Sequence, residues 1–136
     1  MGSLEIVVYG SPKALKRHRS YRVGNHIKSY DPSSRDKSDF IAQIINSRPA
    51  VPLDCKLVMA FAFYMPLPKS MPKKLQNIIR DGQELPHCKK PDLDNMIKFC
   101  IDAMNGIIYR DDRSIYKISA VKLYGETPRT VINIWW

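Results

Sequence analysis

The pattern around which the chain is organised lies between Leu93 and Gly106. Leu93, Met96, Ile97, Cys100, Ile101 and Met104 recur at the spacing of a single helical stripe. Asp94, Lys98 and Asp102 fall beside that stripe, each four residues from the next, and predict a more exposed row on the same helix. Pro91 is poorly suited to a helix interior, Asp92 is a favourable N-cap, and Gly106 is a typical stop just past the end. Elsewhere the period changes. Leu4 to Tyr9 alternates with Leu4, Ile6 and Val8 on one side, which predicts a strand ended by Gly10-Ser11-Pro12. Lys56 to Tyr64 is apolar on both faces, the mark of a central strand, and Met65-Pro66-Leu67-Pro68 stops it.

The remaining segments fill in around these. Pro32-Ser33-Ser34 precedes a helix predicted to run to about Asn46, with Phe40, Ile41, Ile44 and Ile45 inward. Pro72 to Arg80 is weakly helical, and residues 65–88 are the least constrained part of the chain. Ile107-Ile108-Tyr109 predicts a short strand, and Ile115 to Tyr124 with Thr130 to Trp136 predicts a hairpin joined at Gly125–Arg129. This order gives an α+β fold: one domain over 1–136, a mixed sheet, and helices packed on one face.

Charge changes the picture more than composition does. The 136 residues are 44% hydrophobic and 26% charged, as in ordinary globular proteins. Lys and Arg number 22 against 13 Asp and Glu, a net charge of +9, for which a polyanion such as nucleic acid is the default partner. The excess is concentrated between Lys13 and Lys28, where Lys13, Lys16, Arg17, Arg19 and Arg22 are interleaved with His18 and Tyr21, and Tyr30 follows. No period is visible there, so the stretch predicts a basic loop: an arm that contacts phosphates, with tyrosines able to stack on unpaired bases, or else a solvated surface segment. No apolar run approaches a membrane span, and no signal-peptide pattern opens the chain. Both features predict a cytoplasmic protein. Cys55 and Cys100 read as reduced core thiols, and His87-Cys88 with Cys100 lacks the spacing of a zinc site.

The acids carry the chemistry. An isolated Asp-x-Asp at a helix start is explained by capping alone. Here Asp92 and Asp94 share one turn, and Asp111-Asp112 follow at a bend beyond the same helix. If the chain runs back along the helix from Gly106, Asp112 arrives near Asp92. Three carboxylates without His or Cys make an oxygen-only set suited to Mg²⁺ or Mn²⁺, and phosphodiester hydrolysis is the matching reaction. Lys98, one turn past Asp94, is positioned to meet the scissile phosphate, or else forms a surface pair with Asp94. Asp102 is read as structural.

The run Lys90-Pro91-Asp92-x-Asp94-Asn95-x-x-Lys98, then Asp102-Ala103-x-Asn105-Gly106, then Tyr109-x-Asp111-Asp112, resembles the RusA family of Holliday junction resolvases. Lys122 also suits that family's lysine in the strand beyond. The resemblance is sharp over 90–124 and loose elsewhere. It implies a small homodimeric, Mg²⁺-dependent endonuclease that cuts four-way DNA junctions by paired nicks in recombination and repair. Such proteins are typically encoded by phages or prophages and act in the bacterial cytoplasm. By position, Asp92, Asp94 and Asp112 are the catalytic, metal-binding carboxylates and Lys98 the essential lysine, with Asp111 the alternative to Asp112. The basic residues expected on DNA are Lys13, Lys16, Arg17, Arg19, Arg22, Lys89 and Lys90. The rival readings are a nucleic-acid-binding regulator that cuts nothing and a nuclease for other branched DNA.

Overall fold

The computed structural model describes residues 1–136. Its frame is a four-stranded sheet in the order β1-β6-β4-β5, with β1 spanning Ser3–Tyr9, β4 Leu57–Met65, β5 Ile115–Tyr124 and β6 Arg129–Trp135. β4 is central, as its two-sided apolar character predicts. Its Leu57, Met59, Phe61, Phe63 and Met65 are buried on one face, and Val58, Ala60, Ala62 and Tyr64 are half-buried on the other. It runs parallel to β5 and antiparallel to β6, so the sheet is mixed.

Helices α1, over Ser34–Ile44, and α3, over Leu93–Met104, contribute to the core on the face that buries Phe61 and Phe63. Phe40 of α1 meets Phe99 of α3 edge to face at 5.6 Å, and both are buried. The stripe on α3 is wider than its predicted register, since Phe99 and Ala103 are buried along with Met96, Cys100 and Met104. A short helix α2 over Lys73–Arg80 buries no residue of its own and lies outside this layer. The expected α+β architecture with helices on one face is observed.

Four local expectations are corrected. The basic stretch is not all loop: β2 over Arg19–Val23 and β3 over His26–Tyr30 pair as a separate hairpin, exposed along its whole length. Its apolar positions meet no core, so alternation there carried little weight, although Gly24-Asn25 is a turn signal. Ile107–Tyr109 forms a tight turn with Gly106 N–H donating to Tyr109 O at 2.8 Å, not a strand. β5 and β6 do not pair with each other, because β4 lies between them. Their connection crosses the end of β4 at Gly125, where a Cβ would stand 2.8 Å from that of Tyr64. Finally, Cys55 is exposed, whereas Cys100 is buried as expected.

Candidate active site

The chain enters α3 through Lys89-Lys90-Pro91, and a residue on β5 fixes that entrance. Lys122 pairs with the buried Phe63 of β4, so its side chain rises from the same face of the sheet. Its ammonium donates to the carbonyls of Lys89 and Pro91, each at 2.6 Å. A lysine at an inward strand position, in line with Ile118 and Ala120, is the sequence signal for this clamp. Beside it His87 is buried with Nδ1 unpartnered and its ring against Tyr124, and burial together with the Lys122 charge lowers its pKa.

Asp92 takes the N-cap position, yet its side chain makes no capping bond, and only its carbonyl is used, by Met96 N–H at 3.2 Å. Its carboxylate is therefore free at the helix entrance. Asp94 and Lys98 are 71% and 63% exposed, and their charged groups stand 4.0 Å apart. A pair that open to water contributes a few tenths of a kcal/mol at most, so little holds either charge away from a ligand.

The basic arm is rooted against this entrance. Leu15 N–H donates to Asn95 O at 2.9 Å. Lys16 N–H donates to Oγ of the fully buried Ser33 at 2.8 Å. Together Leu15, Lys16, Arg17, Asp94, Asn95 and Lys98 line a groove of 420 Å³. Arg19 and Arg22 stand on the exposed hairpin, and Lys89 and Lys90 are exposed just before Asp92. Lys13 lies farther off, lining a 320 Å³ cavity with Asp36 and Asp39.

The far end of α3 is built differently. Tyr109 is fully buried, and its hydroxyl donates to Ile101 O at 2.6 Å, closing the turn under the helix. Leu53 exchanges backbone bonds with Ile108 and Arg110, both at 2.9 Å, and so ties the turn to the strand-leading loop. Asp111 caps a single 3-10 turn by accepting from Arg113 N–H at 3.0 Å, and that bond holds its carboxyl below the usual range. Asp112 has the opposite shift. Partial desolvation, then the hydrogen bond and charge of Asp111 and the charge of Asp102, raise it. Asp102 itself reaches Lys37 of α1 at 4.0 Å, in keeping with a structural role.

These contacts correct one expectation. Asp112 does not come back beside Asp92 within the chain. Lys122, near the end of β5, touches the entrance of α3, whereas Asp112 precedes the start of β5 and senses Asp102 near the helix exit. The helix between them, of 12 residues, is about 18 Å long. No three Asp, Glu, His or Cys side chains gather into a group able to hold a metal ion. The chain does run back along α3, but as β5, so it is Lys122 and not Asp112 that reaches the helix entrance.

Comparison with known proteins decides the class. Residues 9–135 match the family described as endodeoxyribonuclease RusA. The chain belongs to the RusA family. Membership makes it an endonuclease that acts on DNA by phosphodiester hydrolysis, and RusA proteins are metal-dependent nucleases. The match extends well beyond the motif region that carried the resemblance. The chain is also similar to the Bacillus subtilis (strain 168) protein named uncharacterized protein YqaN, 31% identical over 138 residues, covering 98% of this chain and 96% of that protein. No helix is long and apolar enough to cross a membrane.

Proposed function

We propose that this RusA protein is a Mg²⁺-dependent resolvase of four-way DNA junctions, with Mn²⁺ an adequate substitute, and that its active site is shared between two copies of the chain. The observation that carries this reading is the division of acids between the two ends of α3. Asp92 and Asp94 stand open at the entrance of α3, a helix of 12 residues about 18 Å long, and Asp112 lies by its exit. A second copy related by two-fold symmetry brings its own Asp112 to Asp92 and Asp94 and completes the set twice over. Asp112 fits the role better than Asp111, whose carboxylate is already engaged by Arg113 N–H.

The donor set suits a hard divalent ion, which takes carboxylate oxygens and keeps water and phosphate as its remaining ligands. The chemistry such an ion supplies when bound is an activated water and neutralisation of charge on the phosphate. Lys98, exposed one turn from Asp94, contributes a positive charge to the scissile group. Lys16 and Arg17 beside Asp94, with Lys89 and Lys90 ahead of Asp92, hold the phosphates on either side. Paired sites address the two opposed strands of a junction. A role in recombination and repair and a phage or prophage origin belong to the same reading.

The test uses a synthetic four-way junction and a linear duplex of equal length, with and without Mg²⁺. Paired symmetric nicks on the junction alone are expected. Asp94→Asn and Asp112→Asn are each expected to be inactive, whereas mixing them yields dimers with one intact site that nick a single strand. Mixtures that stay inactive, although the subunits exchange, would return all three acids to one chain. Cutting of other branched DNA in preference to the junction would redirect the substrate assignment.

A further inference from the structure

The β2–β3 hairpin is not used by the reading above, and it combines two properties that are costly for a free surface. It is a two-stranded ribbon exposed on both faces, a form of marginal stability in water. It also displays large apolar groups, with Ile27 at 77%, Tyr21 at 51%, Val23 at 48% and Tyr30 at 46% exposure. Strand alternation and the pairing register sort its side chains. Arg19 opposite Tyr30, Tyr21 opposite Lys28 and Val23 opposite His26 share one face. On that face the two tyrosine rings meet edge to face at 6.1 Å. No acidic residue occurs from Ile6 to Tyr30, so the whole arm is cationic or neutral.

We infer that this tyrosine-bearing face stacks on unpaired bases at the branch point of the DNA, and so makes the enzyme selective for branched over linear DNA. The inference rests on the branched-DNA reading of the active site and deepens it. Charge complementarity selects the occupant. Aromatic faces flanked by Arg19 and Lys28 match the planar surface of a base and its adjoining phosphates, and stacking tolerates any base sequence. In linear duplex the base faces are covered by their neighbours, so only the cationic groups would find partners there.

Position supports the same occupant. The root of the arm is bonded to α3 through Leu15 and to Ser33 through Lys16, beside Asp94 and Lys98. From that root, strands of five residues reach about 17 Å, the length of several stacked bases. A strand held at the acids therefore lies within range of the tyrosines. Gly24, at φ +59, and Asn25 close the tip in a two-residue turn, and the Arg22 guanidinium donates to Gly24 O at 3.0 Å, which keeps the ribbon in register.

The experiment measures equilibrium binding of the full chain, in EDTA to prevent cutting, to a four-way junction and to a linear duplex of the same sequence. It compares the wild type with Tyr21→Phe/Tyr30→Phe, Tyr21→Leu/Tyr30→Leu and Tyr21→Ala/Tyr30→Ala, and places 2-aminopurine at the crossover. The phenylalanine pair is expected to keep the junction preference. The leucine and alanine pairs are expected to lose about ten- to a hundred-fold in junction affinity with an unchanged salt slope. Duplex affinity should stay nearly constant, and the crossover 2-aminopurine response seen with wild type should disappear. The leucine pair keeps apolar strand-forming residues, so its loss cannot be ascribed to a melted ribbon. Equal loss on both DNAs, or retained preference in the leucine and alanine pairs, overturns the inference while leaving the nuclease reading intact. Conversion of a dimer to a monomer by these pairs assigns the face to a second copy instead and also overturns it. A wild type with no junction preference removes the branched-DNA reading itself, and the inference with it.

Discussion

The two ends of α3 carry the same residue type in opposite states. At the entrance, Asp92 makes no side-chain capping bond and Asp94 meets only Lys98, at 4.0 Å and open to water, while Lys122 holds the backbone. At the exit, Asp111 is spent on a turn, Asp112 is raised by partial desolvation and then by its acidic neighbours, and buried Tyr109 locks the chain in place. The difference teaches that one end is prepared to receive a ligand. The other offers a single carboxylate that is electrostatically uncomfortable alone. Carboxylates brought together stay ionised only with a cation between them, so in the proposed shared site the two ends would meet only around a bound ion.

Four substitutions test this contrast, in falling order of effect. Asp94→Asn should lower the cleavage rate by roughly a hundred- to a thousand-fold, the scale of losing one charge-stabilising group, while junction binding persists or tightens. Normal cleavage by that variant would remove Asp94 from the site. Lys122→Met should cost about 10–100-fold in cleavage and raise the Mg²⁺ concentration needed for half activity, as loss of a supporting contact behind a ligand does. Lys122→Arg should recover part of this. If Lys122→Met lowers only thermal stability, the clamp positions nothing that matters for cutting.

Replacing Lys16, Arg17 and Arg19 together with Ser should weaken DNA binding and reduce the slope of log affinity against log salt by about two to three, one unit per lost phosphate contact. An unchanged slope would make the arm a solvated surface. The smallest effect concerns pH. The Lys37 ammonium, 2.7 Å from Asp31, holds the Asp31 carboxyl below its ordinary value. Such a carboxylate adds stability above its unfolded pKa and loses it as pH falls through the lower folded value. Melting of Lys37→Met should therefore trail wild type by no more than a few degrees at neutral pH, and the gap should close in acid. A gap that widened in acid would show that Asp31 is not the partner that matters.

Part of the site was legible because it is local. The stripe from Leu93 to Met104, the proline before it and the glycine after it define one helix, and a helix fixes where Asp94 and Lys98 point. The acidic motif with its flanking lysines was also sufficient to indicate the family, which the match over residues 9–135 then established. The hairpin was missed because its apolar residues face solvent, so the usual link between alternation and burial fails. Cys55 was misplaced for a related reason: standing just before a buried strand is not the same as being inside it.

By itself, then, the order of residues determined the main helices and core strands, the chemistry of the acids and the cationic character of the arm, since period, capping and charge are properties of neighbours along the chain. Only the tertiary structure decided that β4 separates β5 from β6, that Lys122 grips the entrance of α3, and that Asp112 stands at the opposite end from Asp92. Each of these depends on which way a turn sends the next segment. That direction is set by contacts with residues far off in sequence, as where Leu53 holds the turn before Asp111, and not by the turn's own sequence alone.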